Sequence, residues 1–429
     1  MLRNQSFFNI EQCAVSASNG FLPSRAPLTE LPAVSKLNMR LNQMANTLPE
    51  LIQKKALRAT IERLNAEFSD VVITLDKEDL QQKQVAILLL TMLAQAYVWE
   101  DLEKPSNRVP GIIAKPLYQL CEYEQRFPAL TYADYILYNW RLKNPSHGIC
   151  LENIEPIFTF TGTKDEAWFI KIHVAIEAAA SEALVSAFNA NVLAKSMISG
   201  SAYVGDADKE KELILLLDKI QKSLESATVV LKRMKEECRP EYFWNTLRLY
   251  LNGWEKVKSQ DMTEVGVRFD DVATKDKLPS HSYKGASGAQ SSIIPALDAA
   301  LGVKHEINGM FKTLLEFKSY MPLEHQTFIS MLSRGKIDTA VRLSGSKELF
   351  SAWEHAVTQI TLFRGGHMGL VKNFLHAPAA KTGINPENIV GTGGTPITTY
   401  LGSRHQTTQN TVTELGKKEL EFKPIRAKL

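Results

Sequence analysis

Nine histidines are the first residues to weigh, because imidazole is both the commonest metal ligand and a proton-transfer group near neutral pH. None of them forms an H-E-x-x-H or H-x-H arrangement or stands at zinc-ligand spacing from cysteines and carboxylates, so a zinc hydrolase has no support. His367 differs in context. Ile360, Phe363, Leu370, Val371 and Phe374 share its face on a helical run, and that face is apolar apart from the one imidazole. Gly365 and Gly366 stand immediately before it, each costing about 1 kcal/mol relative to Ala in a helix interior. One reading is a flat macrocycle lying close to a helix that carries an axial imidazole, with Arg364 reaching an acidic side arm. The other is a satisfied core histidine on a kinked helix.

Three further positions carry functional groups on apolar faces. Arg248 lies in YFWNTLRLYLNGW beside Trp244, Leu247 and Leu251, before the stop signal Asn252-Gly253. Its guanidinium either snorkels to water or binds a carboxylate bidentately. His173 is flanked one turn away by Phe169 and Ile176, and Tyr132 opens the run YADYILYNW; taken alone, each reads as core. There is no G-x-S-x-G elbow, Walker loop or G-x-G-x-x-G motif. The sequence GTGGT at 391–395 is a weak phosphate-cradle signal, since no core strand precedes it.

The elements that must position these groups are helical. Apolar residues recur at three-to-four spacing, and strict alternation is confined to the stretch around Ile154 to Phe160. This periodicity predicts helices over 48–68, 77–99, 132–140, 165–194, 208–237, 241–251, 293–301, 305–319, 323–333 and 347–374. Thr163 and Glu166 have capping-box spacing after the turn 159–162, which marks a firm helix start and a domain boundary nearby. KGASGAQSS at 284–292 and GTGGT read as loops, 376–390 as a mobile surface loop, and the last dozen residues as a basic, weakly structured tail.

The 429 residues are 44% hydrophobic and 23% charged, the profile of an ordinary folded chain with ample core. Fifty Lys plus Arg against 47 Asp plus Glu give a net charge of +3, too balanced for a nucleic-acid stripe or an anionic-membrane binder. The four cysteines are scattered, and the apolar run near the N-terminus ends at Glu11, so a reducing cytoplasmic setting is expected. The apolar run Val85 to Trp99 is shorter than the roughly 20 residues that span a bilayer and is expected to be a buried helix.

Eight pieces in order, AQAYVW, YADYILYNW, IEAAASEA, LRLYLNGW, ASGAQSS, YMPLEHQTFI, LFRGGH and GTGGT, resemble the indoleamine 2,3-dioxygenase family of haem enzymes. The resemblance covers most of the chain. It implies an all-α fold with a smaller, mostly helical N-terminal domain, 1–160, covering the distal pocket, and a large helical haem-binding domain, 161–429. The implied cofactor is haem b, ferrous in the active form, with His367 as proximal ligand, its other ring nitrogen finding an acceptor or water, and the sixth position left for O2. Arg364, Ser287 and Asp298 are the other implied cofactor contacts, Arg364 lying near a propionate or near Asp298. The small residues Ser287 and Gly288 let the ring and backbone approach.

On the substrate side the resemblance implies that Phe243 packs on the indole, Arg248 binds the amino-acid carboxylate, and the loop of Thr392 closes over the ammonium and carboxylate. Tyr132, Tyr135, Ile136 and Phe169 match the pocket around the indole, with Ser287 and Gly288 beside it. His173 stands where animal members commonly carry Ser. It is expected to accept a hydrogen bond from the indole N-H and orient C2 and C3 for oxygen insertion, which makes His173, Arg248 and Thr392 the expected catalytic set. The expected activity is addition of both atoms of O2 across the C2=C3 bond of L-tryptophan, giving N-formyl-L-kynurenine, by a cytoplasmic monomer without nucleic-acid or membrane partners. Two alternatives stay open: a relative that mono-oxygenates or rearranges another indole, and a helical interaction protein that has lost catalysis.

Overall fold

The computed structural model describes residues 10–419 apart from 69–70, 259–263, 273–279, 306–308, 386–387 and 395. It is predominantly helical, as the periodicity predicts. The N-terminal part carries α1 (Lys36–Asn46), α2 (Leu48–Gln53), α3 (Leu57–Glu67), α4 (Leu80–Trp99) and α5 (Gly111–Tyr123). Next come α6 (Lys164–Ala179), α7 (Ser181–Ser196) and α8 (Ala207–Lys232), then two single turns, α9 (Pro240–Tyr242) and α10 (Arg248–Tyr250). The C-terminal part holds α11 (Ile293–Leu301), α12 (Gly309–Lys318), α13 (Leu323–Leu332), α14 (Ile337–Ser344), α15 (Lys347–Val371), α16 (Ala377–Lys381) and α17 (Ile397–Glu419). The strands are two-residue pairs; one joins Ile154–Glu155, at the start of the alternating stretch, to Arg141–Leu142.

Caps in the sequence fix several of these boundaries. Asp79 accepts hydrogen bonds from the backbone N-H groups of Gln81 and Gln82 at the head of α4. At α6, Thr163 Oγ1 accepts from Glu166 N at 3.4 Å, while the Glu166 carboxylate reaches back past the cap to Phe160 N at 2.8 Å and Thr161 N at 2.6 Å. The capping box therefore also secures the turn before the helix, where Gly162 takes a φ of +64°.

From Val85 to Trp99, α4 is buried on every face, which explains its apolar run without a membrane; among the described residues no helix is long and apolar enough to cross one. Its polar Gln95 is fully used. Gln95 Nε2 donates to the carbonyls of Tyr250 and Asn252 at 2.7 and 2.8 Å, and its Oε1 accepts from Trp254 Nε1 at 2.9 Å. This clamp fixes the end of the segment that carries Arg248. In the C-terminal half α8 packs against α6, α7 and α15, and α15 packs against α17 on another side.

Several expected helices are broken. Residues 48–68 form two helices because Lys55 takes a left-handed φ of +52°. The expected helix 165–194 divides at Ala180, where Ser223 of α8 donates to Ala179 O at 2.7 Å and accepts from Ala183 N at 3.0 Å. A side chain from another helix thus satisfies the groups freed by the break. The expected mobile loop 376–390 is helical at its start: α15 continues through a widened turn, Lys372–His376, into α16. Pro378 falls in the first turn of α16, where its missing N-H costs little. Of the expected tail, 420–429 lie outside the described residues, and 418–419 end α17.

Candidate active site

A cavity of about 300 Å3 lies among α6, α8, α11, α15 and the loops that cross them, a volume at the lower end of the range for small-molecule and cofactor sites. Three widened, π-helical turns frame it: Ala133–Leu137, Phe243–Leu247 and Lys372–His376. Each contributes wall residues: Tyr135 and Ile136, Phe243, and Phe374 with Leu375. Such turns reset the helical register and re-aim side chains, which is why they gather at functional sites.

Every cofactor and substrate residue that the resemblance implies reaches this one cavity. His173, Tyr132, Tyr135, Ile136, Phe169, Phe243, Arg248, Ser287, Gly288, Thr392, Asp298, Arg364 and His367 all line it. His305, Met234 and Leu231 line it as well and carried no sequence signal. His305 follows a helix stop and has no apolar stripe or motif around it.

His367 and His173 are enclosed by protein but only half-buried, because the space beside each ring is the cavity. Burial lowers the pKa of His367, so it is neutral near pH 7, the form that ligates a metal. Among the described residues neither of its ring nitrogens has a hydrogen-bond partner. His173 is lowered to about 4, mainly by burial and further by the His367 imidazole, against the opposing bond to Phe169. Its Nδ1 lies 2.8 Å from Phe169 O. Neutral His173 therefore donates from Nδ1 to that carbonyl, which leaves Nε2 as an acceptor.

The tyrosines turn their hydroxyls away. Tyr132 Oη donates to Glu177 at 2.8 Å and Tyr135 Oη to Glu166 at 2.8 Å, so the two rings offer apolar faces. Burial pushes the Glu177 carboxyl up to about 7 despite donors from Tyr132 and Ser291, the latter at 2.9 Å. Phe169 and Phe243 stack at 5.3 Å, and Phe374 meets Phe243 edge-on at 5.8 Å.

Arg248 does not snorkel. Its guanidinium lies 4.3 Å from the Trp244 ring centroid and donates to Val390 O at 3.2 Å, while its Nε is buried without a partner among the described residues. Thr392 Oγ1 donates to Ala286 O at 2.7 Å, docking the GTGGT loop on the ASGAQSS loop. Close approach dictates the glycine before that second loop: a Cβ on Gly285 would stand 2.1 Å from Leu251 O and 2.6 Å from Thr392 O. At Gly288 the opposite holds, with no atom within 4 Å of a Cβ, so the cavity wall there is bare backbone. Arg364 meets Asp298 at 2.5 Å, one of the two placements expected for it.

The glycine pair before His367 has a different setting from the one expected. A Cβ on Gly366 would face Leu231 and Thr228 of α8 at 3.5 and 3.9 Å, and one on Gly365 would face His405 of α17 at 3.8 Å. Both directions lead to neighbouring helices, and neither glycine lines the cavity.

A predominantly helical chain that encloses a neutral imidazole, a second histidine with an acceptor nitrogen and a guanidinium in one largely apolar cavity has the makings of a cofactor-binding protein with a small-molecule ligand. Comparison with known proteins gives the family. Residues 9–411 match the indoleamine 2,3-dioxygenase family, and the chain belongs to it. It is 30% identical to an indoleamine 2,3-dioxygenase of Aspergillus nanangensis, over 94% of this chain and 97% of that protein. It is also 30% identical to indoleamine 2,3-dioxygenase 1 of Rattus norvegicus, over 93% and 95% respectively. A 6-hydroxytryptophan 2,3-dioxygenase of Fusarium equiseti is 30% identical, over 90% of this chain and 89% of that protein.

Proposed function

We propose that this protein is a cytoplasmic, monomeric haem dioxygenase that adds O2 across the indole C2=C3 bond of L-tryptophan, giving N-formyl-L-kynurenine, with residues 1–160 as a small domain over the distal side. The observation that carries this reading is His367: a neutral imidazole with neither nitrogen bonded among the described residues, on the wall of an apolar cavity. The cavity fits haem on three further counts. Its wall is bare backbone at Gly288, its sides are apolar, and its polar end holds Arg364 and His305, positioned by Asp298, to meet carboxylates. His367 would offer a neutral ring nitrogen to the iron of a haem, which brings its own remaining ligands. His367, Arg364, Asp298 and Ser287 would hold the cofactor, and bound haem supplies the activation of dioxygen.

The protein's own residues supply recognition and orientation. Arg248 binds the substrate carboxylate, His173 Nε2 accepts the indole N-H, Thr392 and its loop exclude water, and the rings of Phe169, Phe243, Tyr132 and Tyr135, with Ile136, hold the indole. Fixing the indole between an acceptor and a cation restricts it to one approach, an effect that can contribute several kcal/mol to the barrier. His173 need not act as a base, because the N-H stays in place as C2 and C3 are oxidised. The Fusarium relative, named for 6-hydroxytryptophan, favours a second reading in which the substrate is another indole.

The test is anaerobic reduction of the haem-supplemented protein, then oxygen and L-tryptophan, with mass spectrometry of the product. A gain of two oxygens is expected. A single oxygen, or a rearranged indole, would move the assignment to a mono-oxygenating relative. Absence of a Soret band after haem supplementation would remove the haem reading altogether and leave a helical interaction protein.

A further inference from the structure

At the polar end of the cavity, Asp298 of α11 accepts two hydrogen bonds on one oxygen: Arg364 of α15 at 2.5 Å and His305 Nε2 at 2.8 Å. The chain geometry that brings His305 back is local. Gly302 caps α11 in the left-handed region at φ +80°, and Val303 N closes on Asp298 O at 2.9 Å. Arg364 is further tied to Thr408 of α17.

Two atoms are left over. Among the described residues Asp298 Oδ1 and His305 Nδ1 are both buried without a hydrogen-bond partner, and the side chain of His305 is only 10% exposed. Burial raises the Asp298 carboxyl, but Arg364 and His305 outweigh it and hold it ionised. That one carboxylate balances the Arg364 guanidinium. His305 turns Nε2 to that carboxylate and leaves Nδ1, on the other side of the ring, unpartnered among the described residues in the cavity lining. A buried ring nitrogen left unpartnered beside a guanidinium calls for a polar group of a ligand, and a carboxylate is the group that a guanidinium and an imidazole N-H bind together. The substrate carboxylate has its own partner in Arg248, on another element and with its own unpaired Nε.

We infer that His305 is a cofactor-binding residue whose Nδ1 donates to a carboxylate of the porphyrin side arms while its Nε2 stays on Asp298. The inference rests on the haem reading above and adds to it a residue without any sequence signal.

The test is a Soret titration of the full-length chain with iron protoporphyrin and with its dimethyl ester, which keeps the ring and removes the anionic acceptors. His305→Gln preserves a donor near Nε2 for Asp298 and removes Nδ1. It should bind the free acid about tenfold more weakly than wild type does while binding the ester equally well, the size expected for one charged hydrogen bond. His305→Asn places an amide near Nδ1 and should recover most of the preference for the free acid. An acid-to-ester ratio that is the same in wild type and His305→Gln, or an equal loss for both porphyrins, overturns the inference while haem binding itself stands. A wild-type chain that binds neither porphyrin overturns the haem reading and this inference with it.

Discussion

Arg248→Ala offers the sharpest check on how the cavity recognises its substrate. Of the five N-H donors on the guanidinium, one meets Val390 O at 3.2 Å, and Nε is buried with nothing to bond. Burial accordingly lowers its pKa. A carboxylate arriving there satisfies donors that the empty cavity leaves unused, so most of the new interaction counts towards binding. Two charge-assisted bonds, discounted for desolvation and ordering, contribute about 3 kcal/mol, or roughly two orders of magnitude in kcat/KM. L-Tryptophan should lose that much, and tryptamine, which lacks the carboxylate, less than about fivefold by the same reasoning. Arg248→Lys should recover little, because an ammonium cannot reproduce the planar fork. The thermal midpoint should barely move, since the side chain contributes one backbone bond and a stacking contact on Trp244 worth about 1 kcal/mol. Steady-state kinetics on both substrates, with a melting curve for each variant, decide the matter. Equal losses for tryptophan and tryptamine would refute the assigned role.

His367→Ala should abolish the Soret band on haem supplementation while the chain still melts cooperatively; an unchanged band would mean that the iron ligand lies elsewhere. Glu177 should tie stability to pH with a definite sign. Its pKa is raised in the fold from 4.5 to about 7, so the stability it contributes is fully present below about 4.5 and is lost as pH rises through about 7, because the unfolded chain releases its proton first. The loss amounts to about 3 kcal/mol at most. Glu177→Gln keeps a carbonyl for Tyr132 and Ser291, so urea unfolding from pH 4.5 to 7.5 should show wild type declining relative to the variant, and parallel curves would contradict this. Gly365→Ala should stabilise the protein by roughly 0.5 to 1 kcal/mol and leave porphyrin affinity unchanged, since the added methyl meets only His405 at 3.8 Å. Weakened haem binding in that variant would restore a cofactor role for the glycine pair.

Local chemistry was legible where the sequence supplies it. Thr163 announces a helix start, and the apolar run of α4 announces burial on all sides, although α4 starts after its Asp79 cap and not at the expected 77. The division at Ala180 was not legible, because the group that stabilises it is Ser223, some 40 residues away in sequence. Helix α17 is rich in Thr and Gln, residues with modest helical preference and no apolar stripe, and it holds its form by packing on α15. The site residues were legible through motif order and hardly at all singly. His173 and Arg248 read as core and surface groups until the fold surrounded them with a cavity. His305 had no signal of any kind, since its importance arises from contact with Asp298 around a glycine cap.

The same contacts explain why so polar a set of residues makes so apolar a cavity. Tyr132 and Tyr135 direct their hydroxyls outward to Glu177 and Glu166, and those carboxylates are in turn held by Ser291, Thr161 and the backbone of 160–161. His173 gives its one proton to Phe169 O. The two tyrosine hydroxyls and the Nδ1 proton of His173 are therefore bonded behind the wall, which presents ring faces, the His173 Nε2 lone pair and the Arg248 guanidinium to the cavity. On the proposed assignment, the indole N-H and the carboxylate of tryptophan are the groups that meet this nitrogen and this guanidinium. Phenylalanine would leave the His173 nitrogen unbonded, and a ring hydroxyl on the substrate would find neither tyrosine oxygen free to meet it. Selectivity on this account comes from hydrogen bonds already made inside the protein, which fix the few that remain to be made with the ligand.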